Sequence, residues 1–272
     1  LVDVAGKAVQ TDFTVPTDGF ESPWAMAQVV FVHDTATMPD RLGSMQALLD
    51  WTQANPGRFS YPQPPDFLGT TFLKQVLVDI SDDPSVLQMP ATDENYDAVT
   101  APLWAYLDEL TPNLWREGKA YPATGTAMFP LIADGEIDLS ISFSPGAAST
   151  AIANYELPET VRTFVLDKGT IGNASFVAIP YNSGSKEGAM IVADFLMSPE
   201  AQARAQDPAI LGYGTVLNMD ALTDADRAIF DGLELGIATL SPADLGAVQA
   251  EPHPSWMTRI ADDWAVRYGV TQ

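Results

Sequence analysis

The stretch that decides the fold is Arg58–Asp79, RFSYPQPPDFLGTTFLKQVLVD. Phe59 and Tyr61 alternate as a short strand does, and three prolines with Asp66 then forbid an early helix. Phe72, Leu73, Val76, Leu77 and Ile80 follow at helical spacing. This predicts a strand running into a helix that begins near Gly69. The expected first turn, Gly69-Thr70-Thr71, carries no bulky apolar side chain, so backbone N–H groups and two hydroxyls are placed to meet a ligand. The same residues also suit an ordinary N-cap on a proline-stiffened loop, and the stretch alone leaves both readings open.

Upstream, Leu1–Pro23 is broken by Gly6, Pro16, Gly19 and Pro23 and opens without the strand and helix that usually begin an α/β domain. Trp24–Asp34, WAMAQVVFVHD, reads as a buried strand with His33 near its end. Ser44 is placed to cap a helix over Met45, Leu48, Leu49 and Thr52, which Asn55-Pro56-Gly57 stops.

Downstream, Val99, Leu103, Trp104, Leu107 and Leu110 mark a helix, and a further helix is expected over Thr126–Ala133. Ile137, Leu139, Ile141 and Phe143 alternate as a half-buried strand. Ser144-Pro145 then reads as the N-cap and first residue of a helix from Gly146 to Asn154. Two strands, Arg162–Leu166 and Ala174–Ile179, precede two helices over Lys186–Met197 and Pro199–Ala205, beyond which lie Thr223–Phe230 and a loop rich in Gly and Pro. A last helix, Ser255–Tyr268, carries Trp256, Ile260 and Trp264 on one face.

Alternation of strands and helices predicts an α/β protein with largely parallel sheets. In such sheets ligands sit beyond the carboxyl ends of strands. The segments Gly69–Thr71 and Ser142–Ser144 are both expected at such ends.

Composition narrows the function. The 272 residues include 36 acidic and 13 basic ones, for a net charge of −23, and the cations never cluster. Nucleic acid is therefore a poor partner, and the acidity is read first as a means of solubility. No cysteine is present, which removes disulfides, thiolate metal sites and thiol nucleophiles. No apolar run is long enough for a membrane span and no signal peptide is read, so the chain is expected to be soluble.

Catalysis finds little support. The two histidines, His33 and His253, lack partners at metal-ligand spacing, and His253 between two prolines reads as a loop residue. No nucleophile elbow, dinucleotide loop or phosphate loop occurs, and Gly125-Thr126 lacks the residues the last would need. Asp134, Glu136 and Asp138 are read as the solvated side of a strand. No enzyme, cofactor or metal is expected. A hydrolase or transferase on an α/β scaffold is the rival class, which the missing base and nucleophile disfavour.

Four segments carry a resemblance: YPQPPDFLGTTFLKQ, ADGEIDLSISFSPG, NASFVAIP and ADFLMSPEAQ. Together they resemble the extracellular solute-binding proteins of ABC importers, and most closely the YnjB-like subfamily. The likeness runs from Pro23 to Gly269. It implies a two-lobed, type II periplasmic binding fold with a ligand cleft between the lobes. Carried onto this chain, Trp24–His33 is the first crossing strand and Ala174–Ile179 the return. One lobe is expected over residues 1–33 and 173–272, lacking an opening strand, helix and strand that family members carry, and the other over 34–172.

The resemblance also implies a periplasmic or extracellular monomer that hands a small solute to a membrane permease, although a sensor using the same fold would look alike. The expected cleft residues are Gly69, Thr70, Thr71, Ser142, Ser144 and Asn173 as polar contacts. Trp24, Tyr61, Phe67, Phe143 and Tyr155 are expected as flat walls. With few cations near these segments, an organic solute with an aromatic or cationic part is favoured, a thiamine-like compound being one example, over an oxyanion or metal ion.

Overall fold

The structure is a computed structural model and describes residues 1–3 and 6–270. A short helix α1 (Lys7–Gln10) and a hairpin of β1 (Thr11–Asp12) and β2 (Val15–Pro16) lead to β3 (Glu21–Gln28) and β4 (Val30–Asp34). Helices α2 (Met45–Ala54), α3 (Phe67–Ile80), α4 (Tyr96–Leu110) and α5 (Met128–Ala133) precede β5 (Leu139–Ser142), α6 (Ala147–Ala153), β6 (Val161–Phe164) and β7 (Thr170–Ala178). The chain closes with α7 (Lys186–Leu196), α8 (Pro199–Gln206), α9 (Asp224–Asp231), β8 (Val248–Gln249) and α10 (Pro254–Arg267).

Two sheets share one long ribbon. In the first, β7 lies between β3, antiparallel to it, and β8, parallel to it. In the second, β4 lies between β5 and β6 and is antiparallel to both. Only Val29 separates β3 from β4, so the outgoing pass β3–β4 runs beside the returning pass β6–β7 from one sheet into the other. The expectation of largely parallel sheets is corrected by these pairings: a chain that leaves and returns between lobes must run both ways. At the crossing, Val29 N donates to Ile171 O at 2.8 Å and Thr170 Oγ1 to Val29 O at 2.6 Å. Gln28 Nε2 adds a bond to Thr170 Oγ1 at 3.1 Å.

The strand over Ile137–Phe143 was expected to be half-buried, but all four residues of β5 are buried. Leu139 and Ile141 belong to the core that holds α3 and α4, while Met128 and Ile132 of α5 and Ala148 and Ala151 of α6 pack with Val30 and Val32 in a second cluster. A central sheet covered on both faces has no solvated side. Of the acidic trio, Asp134 and Glu136 are exposed as expected, and Asp138 alone is corrected for the same reason. Asp138 is buried and accepts from Arg58 Nε at 2.6 Å and Thr37 Oγ1 at 2.7 Å, with the second Arg58 nitrogen on its other oxygen.

Helix α10 brings the second revision. Trp256, Ile260 and Trp264 face inward as their spacing requires, but the core they enter is that of α3 and α4. Trp264 Nε1 donates to the Tyr61 hydroxyl at 3.0 Å, and Trp256 Nε1 to Met89 O at 2.8 Å. Helix α10, part of the 173–272 segment expected in the first lobe, thus packs on helices of the segment expected in the other lobe. His253 is the N-cap of this helix, its Nδ1 accepting from Ser255 N at 3.2 Å, rather than a plain loop residue.

Candidate functional site

Between the two sheets lies a cleft of about 830 Å³. One wall comes from β3 through Trp24, Ala25, Met26 and Ala27, with Ser175 of β7 and Tyr213 from the loop after α8. The opposite wall comes from the start of α3 through Asp66, Phe67 and Leu68, from the Thr124–Pro130 region, and from Ile141 to Ser144 at the end of β5.

Each wall presents one crossed pair of rings. Trp24 and Tyr213 meet edge to face with centroids 5.6 Å apart and planes at 77°. Phe67 and Phe143 do so at 5.3 Å and 83°. Edge-to-face pairs hold their rings in fixed orientation, so the cleft walls are preformed. Asp66 and Glu156 are the charged residues of the lining, which includes no lysine or arginine.

Of the expected site residues, Trp24, Phe67, Ser142, Phe143 and Ser144 line this cleft. The hydroxyl of Ser142 accepts from Ser144 N at 3.1 Å and donates to Ser144 O at 3.2 Å, closing the turn after β5 on itself. Ser144 Oγ donates to Gly212 O at 3.4 Å, so it reaches the opposite wall instead of capping a helix. The N-cap of α6 is Gly146, without a side-chain bond.

The segment Gly69-Thr70-Thr71 is corrected. The helix starts at Phe67, because Asp66 caps it, accepting from Leu68 N at 2.9 Å and Gly69 N at 3.3 Å. Thr70 and Thr71 are buried, and their hydroxyls donate to Asp66 O and Phe67 O. The donors expected to meet a ligand are thus spent inside the helix, and Gly69 packs against the Pro62 carbonyl. An aspartate at the N-cap is a strong helix start, and it moved the first turn two residues toward the N-terminus.

Tyr61 and Tyr155 also fall outside the cleft. Tyr61 is fully buried, stacks on Phe72 at 4.3 Å, and burial pushes its phenol well above the usual range. Tyr155 follows α6, is 96% exposed and is not part of the cleft lining. Asn173 lines a second cavity of about 410 Å³ beside the first, with Asp12, Phe13, Glu21 and Phe176. Its amide donates to Glu251 at 3.4 Å. Below Phe67, Lys74 and Glu251 form an ion pair at 2.6 Å with both side chains buried.

Sequence reading missed Asp66 as a cleft residue, along with Thr124, Thr126, Phe129, Glu156 and Tyr213. Asp66 and the Gly125-Thr126 pair were visible only as a helix breaker and an incomplete phosphate loop. Tyr213 sits in a loop that has no periodicity to read. Among the described residues no group of three His, Cys, Asp or Glu side chains is placed to hold a metal ion, and no helix is long and apolar enough to cross a membrane.

Comparison with known proteins bears on this geometry. A model of the family described as bacterial extracellular solute-binding protein matches residues 6–226. Protein YnjB of Escherichia coli (strain K12) is 42% identical over 261 residues, covering 96% of this chain and 66% of the relative, so the chain spans just under two thirds of that protein's length. An ABC transporter structure from Clostridium perfringens superposes with a TM-score of 0.61 at 17% identity, over 92% of this chain and 69% of that one. The periplasmic binding protein AfuA from Actinobacillus pleuropneumoniae, with fructose-6-phosphate bound, gives 0.60 at 14% identity, over 93% and 70%. At such identities the two structures speak for the fold alone.

Proposed function

Because this chain belongs to the family of bacterial extracellular solute-binding proteins, with their two-lobed type II fold, we propose that it captures a small organic solute between its lobes and delivers it to an ABC importer. The solute has an aromatic or cationic part. The observation that carries this reading is the pair of crossed aromatic contacts, one on each wall, facing a cleft whose lining includes no basic residue. Flat rings favour a flat or cationic partner, and cation–π contacts are worth about 0.5 to 2 kcal/mol each. A compact oxyanion would find neither a lysine or arginine in the lining nor a free helix end at α3, where Asp66 already takes the first N–H groups.

The protein works by closure and release, with no covalent step. One lobe comprises residues 1–33 and 173 to about 250, and the other comprises 34–172 with α10. Closure turns about the crossings near Val29, Thr170 and β8. A solute touching both walls stabilises the closed form over the open one, and that form is what a membrane permease recognises. Thr124 and Thr126, whose hydroxyls bond each other at 2.9 Å, leave one hydroxyl proton for orienting a solute, while those of Ser142 and Ser144 are used within the protein. The place of action is the periplasm or the extracellular space.

The test is a thermal-shift screen of the chain against organic cations, aromatic compounds and oxyanions. A ligand at one hundred times its Kd should add about 2.7 kcal/mol of stability. Stabilisation by sulfate, phosphate or molybdate, with none from the organic compounds, would overturn the proposal.

A further inference from the structure

The second cavity, of about 410 Å³, shares Ala27, Phe67, Phe143 and Ser175 with the main cleft, so one solute can extend into both. Its chemistry differs from that of the main chamber. Asp12 and Glu21 bring two carboxylates and Asn173 an amide, among the rings of Phe13, Phe67, Phe143 and Phe176.

Among the described residues neither carboxylate has an ion-pair partner. Glu21 Oε2 is buried and has no hydrogen-bond partner among the described residues. A buried acceptor without a donor is costly, so this oxygen favours the arrival of one. Burial also raises the Asp12 carboxyl above its usual range. The ammonium of Lys74 is taken by Glu251 at 2.6 Å and is itself buried. That Lys74 nitrogen lies 5.4 Å from the Phe13 centroid and 5.5 Å from that of Phe67, so rings of this cavity already accept a cation on one side.

We propose that the second cavity is the ammonium subsite of the solute cleft: it takes a primary or secondary ammonium between Glu21 and Asp12, while the apolar or aromatic body of the same solute lies in the main chamber. This rests on the solute-binding reading above and narrows it to an amine-bearing compound. A charged donor answers two carboxylates where a neutral one would not, and hydrogen bonds between such groups are the strong ones. A hard divalent ion fits poorly, since it takes six or more oxygen ligands and these walls are mostly rings. The net charge of −23 draws cations toward the protein.

The experiment is calorimetry on the whole chain with three probes that share a 2-phenylethyl body: 2-phenylethylammonium, 2-phenylethanol and 3-phenylpropanoate. The ammonium compound should bind at least tenfold more tightly than the alcohol. Glu21→Gln should remove most of that advantage and move the affinity of the alcohol less than twofold, and Asp12→Asn should act in the same direction. Equal affinity for all three probes would remove the ammonium subsite and leave the aromatic cleft standing. Binding of phosphate with none of the three probes bound would remove both. Saturation by calcium or magnesium alone, with no preference for the ammonium probe, would also overturn the subsite.

Discussion

Gly69 lies so close to Pro62 that a Cβ on Gly69 would stand 2.0 Å from the Pro62 carbonyl oxygen. The strand-like segment before α3 and the first turn of α3 are thus packed backbone to backbone. A methyl group there must push a fixed carbonyl aside, and overpacking of this kind costs about 1 to 3 kcal/mol. Gly69→Ala should therefore lower stability in urea unfolding while the folded fraction keeps its ligand affinity. Undiminished stability would show that the contact is not tight.

Trp24 and Tyr213 form the aromatic pair of one wall. Trp24→Ala and Tyr213→Ala should each weaken solute binding by about tenfold, which is about 1.4 kcal/mol. Calorimetry with the solute found by the screen measures it. Unchanged affinity in both variants would place the solute elsewhere.

Across the cleft, a Cβ on Gly146 would come within 2.6 Å of the Gly212 carbonyl oxygen. Gly146 precedes α6 on one wall, and Gly212 precedes Tyr213 on the other. Gly146→Ala should hold the walls apart, lowering affinity with little change in melting temperature. A small increase in the radius of gyration of the ligand-saturated protein, read by X-ray scattering, would accompany it. Identical scattering and affinity would count against a closing contact here.

Asp138 gives a pH dependence with a definite sign. Burial acts to raise its carboxyl, but the bonds from Arg58 and Thr37 outweigh this and hold it below the usual carboxylate range. A depressed folded pKa contributes stability that is fully present above the unfolded value, about 3.9, and is lost as pH falls through the folded one. Asp138→Asn should cost about 1 to 3 kcal/mol at neutral pH, a difference that shrinks as the pH drops below about 4. A difference constant from pH 7 to pH 2 would refute the assignment.

The Lys74–Glu251 pair joins α3 to the segment between β8 and α10. Lys74→Met leaves a carboxylate buried without its cation, and breaking such a pair costs about 3 to 5 kcal/mol. Lys74→Met combined with Glu251→Gln should recover much of the loss. Urea unfolding of the single and double variants checks this, and a double variant no more stable than the single one would contradict it.

Most elements were legible because their causes are local. Ser44 and Ser198 cap the helices they precede, and the spacing of Trp256, Ile260 and Trp264 is that of an α-helix wherever it lies. The apolar run Val29 to Val32 could only be a covered strand. Family membership was legible too, since segments such as FLMSPEAQ recur with the fold. Cleft chemistry was legible only in part. Asp66 was read as a residue that delays the helix, when it is the residue that starts it and uses up its donors.

What the sequence by itself determined is most of the helices, the strands of the crossing and the family; the strand expected over Phe59 and Tyr61 is only a single bridge from Phe59 to Leu139, and β1, β2 and β8 carry no pattern to read. What only the tertiary structure decided is which faces of these elements are covered. Tyr61 and Phe67 are aromatic residues of the same short stretch, yet Tyr61 lies beneath Trp264 of α10 while Phe67 turns to Phe143 and the cleft. The partner that buries Tyr61, Trp264, lies 203 residues further along the chain. Periodicity sets the direction in which a side chain points along its own element. Whether water, a ligand or a helix from the far end of the chain meets it there is set by burial of the whole apolar surface, and that is a property of the assembled fold.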